Sequence, residues 1–502
     1  MARAAKPKKE ISMEEALWKS ADKLRGSVEP AEYKHVVLSL FFLKFASDKF
    51  EECRNKIIAT HGEKYADMKP FYTQENVFYL PEESRWKYII ENAKQDDIAL
   101  KIDTALYTIE KNNPALKGAL PDNYYSRLHI DTAKLASLLD EINRINTDDK
   151  ENDIIGRVYE YFLSKFALAE GKGKGEFYTP KCIVNLIAEM LEPYDGILYD
   201  PCCGSGGMFV QSAKFIQAHS GNRGNISVYG QESNADTWKM AKMNMAIRGI
   251  DADFGQYHAD TFFNDLHKTL KADFIMANPP FNLSNWGQDK LKDDIRWKYG
   301  VPPAGNANYA WIQHMIHHLA PNGKIGLVLA NGALSTQSSG EGDIRKNIIE
   351  ADLVEGIVSM PTQLFYSVTI PVTLWFITKG KKQKGKTLFV DARKMGYMVD
   401  RKHRDFTDED IQKLADTFKA FQDGTLEEVK GFCAVADIQA IAAQDYILTP
   451  GRYVGIEEQE DDGEPFDEKM KRLTSELSDM FKKSHELENE IREKLGAIGY
   501  DI

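Results

Sequence analysis

Apolar residues recur at helical spacing from about Ile11 to Ala169, as in Val36, Val37, Leu40, Leu43, Phe45 and Ala46, with few strand-like runs between them. This pattern predicts a helical domain over residues 1–169. Residues 22–32 interrupt it with Gly26 and Pro30, a helix–turn–helix connection of generic type whose plain reading is bundle packing. After the polar run Gly171-Lys172-Gly173-Lys174-Gly175, short β-branched runs alternate with helical ones, which marks the main domain boundary. Candidate strands are 197–199, 227–230, 274–276, 324–329, 353–358 and 369–378, with helices between most of them. Strands alternating with helices imply a doubly wound, mostly parallel sheet, here within a domain spanning 170–455. The last two strands lie close together and are rich in aromatics, so an antiparallel edge pair is expected. In the remaining stretch, 456–502, Met470, Leu473, Leu477, Met480, Leu487 and Ile491 fit a and d heptad positions, interrupted by Ser484. A helical tail with so narrow a seam needs a partner helix, or packs on its own chain.

Composition narrows the possibilities. The chain of 502 residues is 43% hydrophobic and 28% charged, enough to bury a core and neither disordered nor fibrous. Its 64 Lys and Arg against 76 Asp and Glu leave a net charge of −12, so bulk charge does not bind nucleic acid, and such a role requires a local basic patch or a basic partner. One segment concentrates positive charge: residues 379–404 carry ten Lys or Arg against two Asp. Residues 457–468 are the reverse, with eight acids in twelve. Either run has a plain reading as a solvated loop. The five cysteines (Cys53, Cys182, Cys202, Cys203, Cys433) contain no CxxC pair, against a zinc knuckle or a disulfide framework, and point to a reducing compartment. The basic-to-acidic start has no apolar centre and so is not a secretory signal, and runs such as 368–377 are too short to cross a bilayer. A cytoplasmic protein without membrane association is expected.

The candidate chemistry begins at Asp200-Pro201-Cys202-Cys203-Gly204-Ser205-Gly206-Gly207, placed between a strand and a helix beginning at Met208. Glycines there let a ligand touch bare backbone, and a first helical turn offers free N–H groups to a carboxylate or phosphate. The spacing is neither the dinucleotide GxGxxG nor the phosphate loop GxxxxGK[ST], which argues against a nicotinamide oxidoreductase and against triphosphate hydrolysis. Cys202 and Cys203 read as small packing residues. Glu232 follows the next strand, where carboxylates accept from ribose hydroxyls in adenosine-binding folds, or else serves as a helix N-terminal charge. Asp260 could accept from an adenine amino group, although taken alone it reads as a cap. The decisive tetrad is Asn278-Pro279-Pro280-Phe281, directly after the apolar strand 274–276. Two prolines remove N–H donors and leave the Asn278 amide oxygen and the Pro279 carbonyl as acceptors for a planar amino group, and Phe281 gives a ring on which an extruded base can stack. His314, His317 and His318 share one helix, but no carboxylate or cysteine nearby in sequence completes a ligand set, so no metal is expected.

These residues resemble the S-adenosylmethionine-dependent amino-group methyltransferases, and more narrowly the modification subunit of type I restriction-modification systems, an adenine-N6 DNA methyltransferase family. The resemblance runs over nearly the whole chain: LWKSADKLRG and EYKHVVLSLFFLKFASDKFEE in the helical domain, then Gly175-Glu176-Phe177-Tyr178-Thr179-Pro180, DPCCGSGG, NPPF and Gly323-Lys324-Ile325-Gly326. It implies that Glu176, Phe177, Tyr178, Thr179 and Pro180 close over the methionine end of the cofactor. Asp200, Gly204, Ser205, Gly206 and Gly207 would then form the cofactor turn, and Glu232 and Asp260 the nucleoside side. The family usually has alanine where Cys202 stands, and cysteine is of similar size. The implied function is methylation of N6 on a flipped adenine in double-stranded DNA, catalysed at Asn278, Pro279, Pro280 and Phe281. Too little chain follows residue 379 to read a DNA sequence, so the resemblance implies a separate specificity subunit, with a second modification subunit and a restriction (endonuclease/translocase) subunit as further partners. The alternatives are a glutamine-amide protein methyltransferase, which uses a similar tetrad but lacks the long helical domain, and a non-catalytic scaffold or cofactor sensor.

Overall fold

The computed structural model describes residues 13–22, 30–145, 158–163, 165–166, 179–219, 226–365, 371–401, 403–456, 466–497 and 500. Gly26, the 171–175 glycine run, Glu176, Phe177, Tyr178 and the acidic run 457–465 lie outside the described residues. In the N-terminal region the apolar period folds as helix, its longest described piece the 32-residue helix Pro30–His61, with proline at its first position where a missing N–H costs nothing. Val36, Val37, Leu40, Leu43 and Ala46 are buried there in a core shared with the Ile98–Asn112 and Thr132–Asn143 helices.

The second part is a nine-stranded sheet in the order β11-β8-β6-β7-β5-β4-β1-β2-β3. Its strands are β1 (Gly196–Asp200), β2 (Ile226–Gly230), β3 (Ala252–Asp253), β4 (Ala272–Ala277), β5 (Leu319–Ala330), β6 (Val354–Ser359), β7 (Val372–Thr378), β8 (Lys386–Asp391) and β11 (Cys433–Asp437). The block β5-β4-β1-β2-β3 is parallel throughout. Strand β7 runs antiparallel to both β5 and β6, β8 is parallel to β6, and β11 is antiparallel to β8. The sheet therefore has an antiparallel edge, but β11 forms it. The β6/β7 pair expected at the edge lies inside the sheet instead. Strands β8 and β11 escape a periodicity reading for physical reasons. The apolar trio Leu388-Phe389-Val390 sits inside the basic run, and β11 presents the small residues Ala434 and Ala436 to the core. Part of the 379–404 segment is thus a buried strand rather than a solvated loop, and Lys381 pairs with Asp352 at 2.6 Å below it. A separate ribbon, β9 (Tyr397–Met398) with β10 (Arg404–Asp405), completes the segment.

Strand residues alternate between two layers, as a doubly wound sheet requires. On β7, Leu374 and Phe376 face the core that holds the Lys181–Leu191, Gly207–His219 and Asp408–Asp423 helices. Trp375 and Ile377 face the layer with the Asn308–His318 and Glu341–Glu350 helices. The Ala235–Ile247 helix, capped by Asn234 accepting from Asp236 N and Thr237 N, serves two cores. Its Trp238, Ala241 and Met245 belong to the sheet core, whereas Met240, Met243 and Ile247 close the core of the helical region. Residues 456–502 form a second unit, in which Phe466–Ala497 is one continuous helix across Ser484.

Candidate active site

At the carboxyl end of β1 the chain turns through Asp200–Gly206 into the Gly207–His219 helix. Asp200 is 2% exposed, and one of its carboxylate oxygens accepts from Cys202 N at 3.0 Å. Burial pushes its carboxyl up to about 7, against the opposing pull of the Cys202 N–H. Cysteine in place of alanine leaves that backbone donor intact. Burial likewise raises both the Cys202 and Cys203 thiols, as suits packing residues rather than nucleophiles. Gly204 and Gly206 adopt left-handed φ of 54° and 81°. A Cβ on Gly204 would point into open space, whereas one on Gly206 would stand 2.8 Å from Met245 Cε. The two glycines therefore differ in surroundings, open space beside Gly204 and the Met245 side chain beside Gly206. Glu232, after β2, accepts from Gly204 N at 3.1 Å and from Asn234 N at 2.8 Å, so it ties the turn to the next helix.

Asn278 follows β4 directly, on the strand adjacent to β1. Its Nδ2 donates to Thr179 Oγ1 at 3.0 Å, across 99 positions of chain. Its Oδ1 is buried and accepts from no described residue. An amide oxygen left so in a protein interior costs about 1–3 kcal/mol unless a donor arrives. The backbone after the tetrad is pinned: Asn282 N donates to Asn308 Oδ1 at 3.0 Å, and Ala307 N to Leu283 O at 2.9 Å. Phe281 meets Phe365 edge to face, with centroids 6.1 Å apart at 78°. Phe365 follows β6, 84 positions further along, and nothing in the local sequence pattern ties it to the tetrad.

A cleft of about 590 Å³, open to solvent, brings Thr179, Asp200, Gly204, Ser205, Gly207 and Asn278 to one place. Glu160, Leu163 and Asn244, which the sequence reading leaves out, also line it. Pro180 is buried at the start of the Lys181–Leu191 helix. Glu232, Asp260, Gly206, Pro279, Pro280 and Phe281 lie outside that lining. Asp260 accepts from Phe262 N at 2.8 Å and Phe263 N at 3.0 Å, which closes a turn rather than capping a helix.

The histidine cluster departs from the sequence expectation. Asp265, from a loop distant in sequence, does complete a set with His314 and His318. Its nitrogens are nevertheless already engaged. His314 contacts Tyr199 OH at 3.1 Å and Arg296 Nη1 at 3.0 Å, while His318 contacts Leu270 O at 3.0 Å and Asp265 Oδ2 at 2.9 Å. A guanidinium against one ring is the wrong charge for a cation site, so the cluster reads as a buried hydrogen-bond network.

Among known families, the N-6 DNA methylase model matches residues 150–462, and the HsdM N-terminal domain model matches 13–142. The chain is 51% identical to the type I restriction enzyme HindI methylase subunit of Haemophilus influenzae, over 84% of this chain and all of that protein. It is 41% identical to the MjaIX methylase subunit of Methanocaldococcus jannaschii, over 97% of this chain and 91% of that one. Among solved structures, a type I restriction-modification methyltransferase subunit from Streptococcus thermophilus superposes with a TM-score of 0.75 at 24% identity, covering 88% of this chain and 99% of that one, a likeness of fold.

Proposed function

The chain belongs to the N-6 DNA methylase family, among the methylase subunits of type I restriction enzymes, and on that premise we propose that it transfers a methyl group to N6 of an adenine extruded from double-stranded DNA. The observation that carries this reading is the buried Oδ1 of Asn278, which has no partner among the described residues. With the Pro279 carbonyl it forms a pair of acceptors for an exocyclic amino group, which would turn the nitrogen lone pair out of ring conjugation and toward the glycine turn. Phe281, held by Phe365, offers the face on which the extruded ring stacks.

The residues at the turn fit S-adenosylmethionine: a Cβ at Gly204 or Gly207 would meet only open space, and buried Asp200 presents an acceptor beside the first turn of the Gly207–His219 helix. That cofactor, when bound, supplies the electrophilic methyl group. Asp200 would hold one of its donors, the helix N-terminus its carboxylate, and Glu232 and Asp260 the nucleoside side, with Glu176, Phe177, Tyr178, Thr179 and Pro180 closing over the methionine end. Thr179 has a second task, because its hydroxyl orients the Asn278 amide.

Sequence reading belongs to a separate specificity subunit, and the assembly includes a second copy of this chain and a restriction subunit, in the cytoplasm where the DNA is. No described helix is long and apolar enough to cross a membrane. The family is one of DNA enzymes, which leaves the glutamine-amide alternative without support. The test is to co-express the chain with its specificity subunit and map N6-methyladenine across the host DNA. Methylation at one defined motif supports the reading, and a complex that assembles and binds cofactor without methylating DNA would return the chain to a scaffold role.

A further inference from the structure

Glu160 joins three parts of the molecule. It lies in the helical residues 158–163, whose Tyr159 and Phe162 are fully buried in the core of the N-terminal region, and it also lines the cleft. Its Oε1 accepts from Lys214 Nζ on the Gly207–His219 helix at 2.9 Å and from Arg248 Nη2 at 3.0 Å. Arg248, just past the Ala235–Ile247 helix, donates through Nη1 to Asn244 Oδ1 and to Asn244 O. Asn244 is 1% exposed, and its Nδ2 donates to the Ser205 carbonyl, inside the glycine turn, at 2.7 Å. The order of polarities is forced. The carboxylate orients the guanidinium, the guanidinium claims the amide oxygen, and the amide is left with only its N–H side to face Ser205.

We propose that Asn244, Arg248 and Glu160 are positioning residues for the cofactor turn, and that through them seating of the N-terminal helical region and cofactor binding are thermodynamically linked. The proposal rests on the cofactor reading above. None of the three is required to touch the methyl group. Asn244 fixes the Ser205 peptide and with it the direction of the N–H groups that follow, and Glu160 keeps Arg248 aligned to do so. Because Glu160 and Leu163 also wall the cleft, that wall is complete only when the helical region is seated. Whatever the cofactor gains from the seated form it must return as added order in residues 158–163.

The test uses the full-length chain and S-adenosylmethionine, read by titration calorimetry, thermal melting and amide hydrogen exchange. Asn244→Asp keeps the shape and the contact with Arg248 but sets an acceptor against the Ser205 carbonyl, while Glu160→Gln keeps the shape and removes the charge. Each is expected to weaken cofactor binding about tenfold with a melting temperature close to wild type. Cofactor should slow exchange at residues 158–163 in the wild type and much less in either variant. Unchanged affinity in both variants, or a loss of melting temperature with affinity retained, overturns the proposal. A wild-type chain that binds no cofactor instead overturns the reading beneath it.

Discussion

At Asn278 one end of the side-chain amide is satisfied by Thr179, and the other meets no donor among the described residues. Asn278→Ala should therefore lower methyl transfer by a hundredfold or more, since one acceptor in a desolvated site is worth about 3 kcal/mol, while cofactor affinity measured by calorimetry stays near wild type. Turnover at the wild-type rate would remove Asn278 from the chemistry. The two left-handed glycines separate in the same way. Gly204→Val should abolish cofactor binding by filling the approach, whereas Gly206→Val should leave binding measurable because the Met245 methyl can give way; both should lower the melting temperature, since a β-branched residue is strained at φ of 54° and of 81°. Equal effects on binding from both would mean that the turn has one role rather than two. Asp200 gives a pH signature. Its folded carboxyl titrates at about 7 and an unfolded aspartate near 4, so between those values only the folded chain holds the proton. In the ligand-free protein this group then makes stability fall as pH rises from about 4 to 7, with no further change above. A ligand that donates to the carboxylate binds the deprotonated form, so cofactor affinity should rise about tenfold per pH unit up to about 7 and then level off. Asp200→Asn should flatten that profile.

Three elements have a stake beyond their own packing. The Ala235–Ile247 helix is apolar on two opposed faces, and Asn244 lies on the flank between them. Unseating the helical region would expose Met240, Met243 and Ile247, each worth roughly 1.5–3 kcal/mol when buried. The β9/β10 ribbon is the opposite case. Tyr397, Met398 and Val399 are exposed although consecutive strand residues face opposite sides, so the ribbon presents both faces to solvent. Its tip is stiffened by Asp400, which accepts from His403 N at 2.9 Å, and its base is tied by Arg404 N to Gln363 O at 2.9 Å, two residues before Phe365. Under the proposed function, an exposed apolar ribbon carrying Arg401, anchored two residues from the ring that meets Phe281, would suit contact with duplex DNA beside the target base. Tyr397→Ala with Met398→Ala should weaken DNA binding by the assembled enzyme and leave cofactor affinity unchanged, and Arg401→Ala should reduce the salt slope of DNA binding by about one. Unaltered DNA binding in all of these would leave the ribbon without that role. The Phe466–Ala497 helix has its seam residues Met470, Leu473, Leu477, Met480, Leu487 and Ile491 exposed. Deleting residues 467–502 should leave cofactor binding intact and lower both co-purification with the specificity subunit and DNA methylation. A truncated chain that assembles and methylates as well as the full one places the joint elsewhere.

On the scale of the whole molecule, a net charge of −12 opposes any approach to DNA by the isolated chain. The positive charge of the 379–404 segment does not all offset this, because Lys381, Lys382 and Arg393 are paired with Asp352, Asp423 and Asp391. Under the proposed function, DNA affinity would then come largely from the partner proposed to read the sequence.

The sequence by itself determined what depends on neighbours along the chain. It held the period change from helical region to alternating sheet, the strands β1, β2, β4, β5, β6 and β7, the turn with its glycines, and the acceptor tetrad after β4. Turn chemistry and periodicity are local, so they survive without knowledge of the fold. Only the tertiary structure decided which distant residues meet. Sheet order sets Thr179 against Asn278, a loop after β6 sets Phe365 against Phe281, Asp265 joins the histidines, and Glu160 reaches the turn through Arg248 and Asn244. Strands β8 and β11 were hidden for a related reason. Their burial comes from the sheet that they join, not from an apolar pattern of their own strong enough to predict it.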